Sequence, residues 1–144
     1  MTGVQTCALP IFGLVSSTSA GCRYCQAHEA VDARAHGVPD EKVAAVWSFE
    51  ESPLYDDAER AALRFARDAG LVPNAVTAEH FAELREYYDE AEIVELLATI
   101  GIFGFLNRWN DSVATDLEPE PTGYASTRLA ASGWDPGKHD ARAP

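Results

Sequence analysis

Two cysteines three residues apart, Cys22 and Cys25, are followed directly by His28 and Glu29. On a helix, positions i and i+3 share a face, so the two thiols are neighbours and can close a small disulfide. An imidazole three residues further on stays near that face and exchanges protons at neutral pH. A helix that begins near Cys22 aims its unpaired amides and the positive end of its dipole at the first thiol, which favours the thiolate. This is a minimal redox site. One thiolate attacks a peroxide oxygen and becomes a sulfenic acid, the second thiol condenses with it to a disulfide, and an external thiol reductant resets the pair by exchange.

The same residues admit plainer readings. The cysteines could be two small buried apolar side chains, and His28 a hydrogen-bonded core histidine. They could be half of a zinc site, but a closed site needs two further ligands at typical spacing, and His36, His80 and His139 are scattered without a second motif. Glu29 lies seven residues after Cys22, almost eclipsed with it on a helix. It is either a proton carrier beside the thiols or a solvated surface carboxylate.

The elements that must position these residues are helical throughout, with no sustained alternation of apolar and polar residues. A short apolar stretch at 12–19 reads as the end of a helix, and Gly21 permits a kink before the cysteines. A helix is expected over 22–36, stopped by Gly37. Pro39, Asp40 and Glu41 open a short one to about Trp47. Asp56 or Asp57 caps a helix to Ala69 whose stripe is Ala58, Ala61, Ala62, Phe65 and Ala66. Thr77 caps a helix carrying Phe81, Leu84 and Tyr88. Asp89 caps the longest, over 90–115.

The middle of that last helix is apolar almost all round, from Ile93 to Leu106. Such a helix is central to the core or lies in a subunit interface. Gly101 and Gly104 within it suggest a closely packed neighbour. Asn107, Arg108, Asn110 and Asp111 end it with a polar cluster, as a cap and charged surface or as a pocket wall or subunit contact. Trp47, Tyr55 and Trp109 read as core or interface aromatics. After Leu117 the character changes. Glu118-Pro119-Glu120-Pro121 reads as an extended acidic break, 124–132 as one more short helix, and the rest as a turn-rich tail.

The chain has 144 residues, nearly half of them apolar, so one domain with a modest core is expected. Its net charge of −12 excludes a basic nucleic-acid-binding stripe and disfavours an anionic membrane surface. No apolar run is long enough to span a bilayer, and no glycine-rich phosphate loop implies a nucleotide or flavin cofactor. The three cysteines, Cys7, Cys22 and Cys25, do not resemble a secreted disulfide framework, so a reducing, cytoplasmic setting is expected.

Residues 1–11, Met1 to Ile11, resemble the in-frame translation of a short-read sequencing adapter. On that reading Cys7 is set aside, the genuine chain starts near Phe12, already inside its fold, and the native N-terminal part is missing.

Gly21-Cys22-Arg23-Tyr24-Cys25-Gln26-Ala27-His28 on an all-helical chain resembles the carboxymuconolactone decarboxylase family, and within it the AhpD-like alkylhydroperoxidase core. Ala58 to Leu63, Glu92 to Leu96 and Phe105 to Asp111 agree with it. The resemblance covers 12–117 and implies an all-α, AhpD-like, N-terminally truncated domain, followed by an extended tail at 118–144. It implies a thiol-dependent peroxidase or disulfide reductase that uses Cys22 and Cys25 without metal or cofactor. His28 is then the proton carrier, with Glu29 in support. The implied partners are a hydroperoxide or disulfide substrate, an external thiol reductant and further copies of the chain in a homo-oligomer. The alternatives are a non-redox lyase of the decarboxylase type and an inactive helical scaffold.

The family pattern is a glutamate, eleven residues, C-x-x-C, three residues and a histidine. Here the histidine slot holds Glu29, with His28 one residue early, a rotation of about 100°. The glutamate slot holds Pro10, which implies an impaired proton relay in this chain.

Overall fold

The computed structural model describes residues 9–141. Cys7 and most of the adapter-like stretch lie outside them. Among the described residues the chain is all-α, with seven helices: α1 (Leu9–Ser19), α2 (Arg23–Ala35), α3 (Asp40–Ala44), α4 (Asp57–Ala69), α5 (Ala78–Leu84), α6 (Glu90–Val113) and α7 (Pro119–Arg128). No helix among them is long and apolar enough to cross a membrane.

Local chemistry sets the boundaries. Asp56 and Asp89 each accept the backbone N–H three residues on, while Glu59 and Glu92 reach back to the cap amides. These reciprocal pairs satisfy amides that α4 and α6 would otherwise leave orphaned, each cap worth about 1 kcal/mol. Gly21, at φ +79°, makes the turn from α1 into α2.

The central element is α1. Every residue from Pro10 to Ser17 is buried, and the helix packs against α2, α4 and α6. At Gly13 the close approach depends on the missing side chain. A Cβ on Gly13 would stand 2.5 Å from a Glu29 carboxylate oxygen and 2.7 Å from the Phe103 ring.

The long helix α6 behaves differently from α1. It buries one stripe, Ile93, Leu96, Ile100 and Asn107, and exposes Ile102, Phe105, Trp109 and Val113. Within the chain it is therefore a flank of the core. Among the described residues Gly101 has no neighbour within reach, and Gly104 meets only the Arg108 guanidinium, so none of them supplies the close partner expected at these glycines.

The segment after Leu117 is more ordered than an extended break. Glu118 is the N-cap of α7, with Pro119 and Pro121 inside the first turn. Proline is tolerated there because a first-turn N–H has no intrahelical partner to lose. Tyr124, Ala125, Leu129, Trp134 and His139 are buried, and α7 packs on α2.

Candidate functional site

Cys22 is the N-cap of α2, in extended backbone at φ −80° and ψ 101°. Its amide donates to the Ser17 carbonyl of α1 at 3.0 Å. Its sulfur accepts the Cys25 N–H at 3.3 Å, as a serine or aspartate oxygen would at a helix start. The cysteines are reduced, with their sulfurs 3.0 Å apart. Both are buried, Cys22 at 0% and Cys25 at 4% exposure. From α6, the Asn110 side-chain amide reaches the Cys25 sulfur at 3.8 Å. That amide also donates to the Leu106 carbonyl at 3.1 Å, and its oxygen accepts the Thr115 hydroxyl at 2.9 Å.

The two thiols are electrostatically unequal. The Cys25 thiol, hydrogen-bonded to the Cys22 sulfur, holds the Cys22 pKa below that of a free thiol. Burial opposes this, the Cys25 amide adds to it, and the Asp111 charge opposes it. Cys25 is pushed up, first by that same hydrogen bond, then by burial and by the charge on Cys22. The pair therefore gives up its first proton from Cys22 and keeps the second on Cys25.

His28 and Glu29 part company. His28 faces outward, its Nε2 2.9 Å from Glu118 and its ring 4.4 Å from Tyr24. It makes no hydrogen bond to either sulfur. Glu29 turns inward and is buried at 9% exposure. Burial, reinforced by the Asp32 charge, pushes its carboxyl up to about 8, so it is largely protonated at neutral pH. It borders a cavity of about 310 Å³ together with Pro10, Asp32 and Phe103. Among the described residues no cluster of ligating side chains could hold a metal ion.

The chain after Leu117 closes over the outer side of the motif. Trp134 donates its indole N–H to the Arg23 carbonyl at 3.3 Å, and Arg23 pairs with Asp135 at 2.8 Å. Buried His139 lies 5.9 Å from the Tyr24 ring, with Nδ1 2.8 Å from the Thr115 carbonyl and Nε2 3.4 Å from Asp111. Sequence reasoning flagged the Asn110–Asp111 cluster as a choice between surface and pocket wall; the fold brings it to the thiols. It gave His139 no role, because nothing local links residue 139 to residue 24.

The model of the "Carboxymuconolactone decarboxylase family" matches residues 11–68. The chain is 31% identical over 91 residues to the uncharacterized protein YdfG of Bacillus subtilis (strain 168), a match over 62% of this chain and 60% of that relative's length. Among solved structures, the debrominase Bmp8 aligns at a TM-score of 0.81 and 38% identity, over 85% of this chain and 66% of that one. Bmp8 is also known as a cysteine-to-alanine variant in complex with 2,3,4-tribromopyrrole, with a TM-score of 0.83 and 37% identity over 87% of this chain and 67% of that one. A protein of unknown function from Agrobacterium tumefaciens, described as a candidate antioxidant defence protein AhpD, aligns at 0.71 and 23% identity over 76% of each chain, which supports a shared fold. This helical chain, with its paired thiols on the second helix, belongs to the carboxymuconolactone decarboxylase family.

Proposed function

We propose that this chain is a dithiol oxidoreductase that gives two electrons to a small acceptor, a hydroperoxide or a disulfide. The observation that carries the reading is the sulfur pair itself: 3.0 Å apart, reduced, with the Cys22 pKa drawn down and the Cys25 pKa pushed up by their hydrogen bond. Such a pair needs no metal or organic cofactor to act.

With a hydroperoxide, the Cys22 thiolate attacks the distal oxygen. An S–O bond forms, the O–O bond breaks, and the leaving alkoxide takes a proton to become an alcohol. The Cys25 sulfur then attacks the sulfenic sulfur. The S–S bond forms, the S–O bond breaks, and hydroxide leaves with the Cys25 proton as water. An external dithiol, or two thiols in turn, returns two electrons and two protons by exchange and leaves as a disulfide. Glu29, protonated near neutral pH and buried beside α1, suits the proton supply better than His28, which is engaged by Glu118 at the surface. The exposed row Ile102, Phe105, Trp109 and Val113 on α6 supports a second copy of this chain as partner.

The likeness to the debrominase Bmp8 favours a second acceptor with the same electron balance. There the thiolate attacks a ring-bound bromine, an S–Br bond forms, the C–Br bond breaks and the ring carbon takes a proton. Cys25 then displaces bromide to leave the disulfide. A decarboxylase-type lyase would leave the sulfur pair without a task.

The test is a thiol titration of the reduced chain with cumene hydroperoxide or 2,3,4-tribromopyrrole. Two thiols are lost per acceptor reduced and recovered with dithiothreitol. Cys25→Ser stops at a sulfenic acid or its sulfenyl equivalent, trapped by dimedone, and Cys22→Ser does not react. Thiols that persist against excess of both acceptors overturn the reading.

A further inference from the structure

The longest helix carries a face that no other element among the described residues covers. Six large apolar side chains from Val94 to Val113 stand between 48% and 62% exposed on α6. No charged residue lies between Glu95 and Arg108. Together the six offer on the order of 700 Å² of apolar surface, near the 800 Å² or so that each partner buries in a standard interface. Single exposed apolar residues need no explanation, but a contiguous row of this size does. Gly101 lies in the middle of the row, and a Cβ there would meet open space.

The order of large and small residues along this face decides what fits it. Since α6 runs from Glu90 to Val113, its midpoint falls between Gly101 and Ile102. Reversing the helix about that point sets Trp109 opposite Val94, Phe105 opposite Ala98 and Ile102 opposite Gly101, and all six positions are exposed. Each larger side chain then meets a smaller one, as interdigitating layers require. A parallel alignment instead sets each ring against its own copy and leaves Ala98 and Gly101 facing gaps. A face complementary to its own reverse is what a two-fold axis demands, because both protomers present the same patch.

We infer that a second copy of this chain packs its α6 antiparallel against this α6, about a two-fold axis beside Gly101 and Ile102. The missing side chain of Gly101 lets the two helix axes approach to about 8 Å. A net charge of −12 sets the face against an anionic lipid surface. Ile102 also lines the cavity that holds Glu29, together with Thr99 and Phe103, so the second copy borders that cavity. The inference rests on the second copy named with the dithiol reading and supplies its surface and symmetry, while dimerisation itself does not require turnover.

The experiment is sedimentation velocity on the reduced chain over a concentration series, beside Gly101→Leu. The parent sediments as a dimer or a multiple of one, and Gly101→Leu weakens the association by about tenfold or more. At a concentration where both chains are monomeric, the thermal midpoint of Gly101→Leu stays at or above that of the parent. Leucine is the better helix former, and the added side chain meets no other part of the described fold. Orientation is read by double electron–electron resonance between spin labels at Glu90→Cys, in a chain whose Cys7, Cys22 and Cys25 are replaced by serine. Antiparallel helices hold the labels about 35 Å apart, and parallel ones about 10 Å. Should the labelled chain fail to fold, Gly101→Leu carries the test. A monomeric parent, an association that Gly101→Leu leaves untouched, or a label distance near 10 Å overturns the inference. A monomer whose thiols still reduce an acceptor leaves the dithiol reading standing, and an antiparallel dimer whose thiols reduce none overturns that reading alone.

Discussion

Replacing Glu29 by glutamine tests the buried acid through stability before any activity is measured. The carboxyl is pushed up to about 8 from an ordinary value of 4.5. A raised native pKa means that the unfolded chain ionises first as pH rises. Below about pH 4.5 both states are protonated and the residue's full contribution to stability is present. Between 4.5 and 8 only the unfolded state gains charge, so stability is lost across that window. Each pH unit is worth about 1.4 kcal/mol. Glu29 therefore costs the fold about 3 kcal/mol at pH 7 and about 5 kcal/mol above pH 8. Water entering the adjoining cavity lowers these figures and leaves their sign. Glutamine keeps the shape of the protonated acid and does not ionise in either state. Urea denaturation of both chains from pH 4 to pH 9 checks this. The two are equally stable near pH 4, and the glutamine chain gains steadily on the parent as pH rises, while other titrating groups cancel in the difference. If the carboxyl also supplies the proton to the leaving group, the stabilised variant oxidises its thiols more slowly. A stability difference that does not change with pH refutes the buried-acid reasoning outright.

Other perturbations reach neighbouring parts of the site. Asp111→Asn removes a charge that opposes the Cys22 thiolate, so the pH profile of iodoacetamide alkylation shifts to lower pH; an unmoved profile means that Asp111 does not act on that sulfur. Trp134→Ala deletes a buried indole and its bond to the Arg23 carbonyl, at a cost of about 3–5 kcal/mol. Alkylation of the thiols then accelerates as the outer cover loosens, and equal rates in the two chains would separate that cover from the site. Trp109→Glu places a charge in the exposed row of α6, where Trp109 is 60% exposed. Sedimentation velocity is expected to show the parent as an oligomer and the variant as a smaller species, and a parent that is already monomeric removes the case for that surface.

What could be read from the sequence is what short-range chemistry decides. Asp56, Thr77 and Asp89 announce helix starts because a cap acts within three residues. Cys22 and Cys25 face one another because a helix requires it, and the all-α class follows from periodicity. The remainder depends on distant partners. The middle of α6 is apolar almost all round, yet it is α1 that is buried along its length, since burial depends on what packs around a helix. Pro119 and Pro121 read as a break because proline is costly inside a helix, whereas here they occupy the first turn, where that cost vanishes. His28 lies near the thiols along the chain, but its partner is Glu118, ninety residues away. Glu29 passes for a surface residue until Gly13, on another helix, is seen to leave it room.

The sulfur pair by itself does not choose an acceptor. Reducing a peroxide oxygen, a disulfide sulfur or a ring-bound bromine draws the same two electrons and ends in the same disulfide, so thiol acidity alone separates these substrates poorly. Selection must come from what can approach, and both sulfurs are sealed within the fold. Trp134, Asp135, His139 and Glu118 hold the outer side of the motif through Arg23, Tyr24 and His28. Neither sulfur lies on the wall of the cavity beside Ser16 and Asn107, and the outer cover is the side on which an acceptor is admitted or refused. If so, substitutions at Cys22 or Cys25 abolish the reduction of every acceptor alike. Trp134→Ala instead changes which acceptor is reduced fastest. A kinetic comparison of cumene hydroperoxide with 2,3,4-tribromopyrrole in the Trp134→Ala chain decides the matter. A changed ratio of kcat/KM for the two locates selectivity in the cover, and an unchanged ratio returns it to the sulfurs.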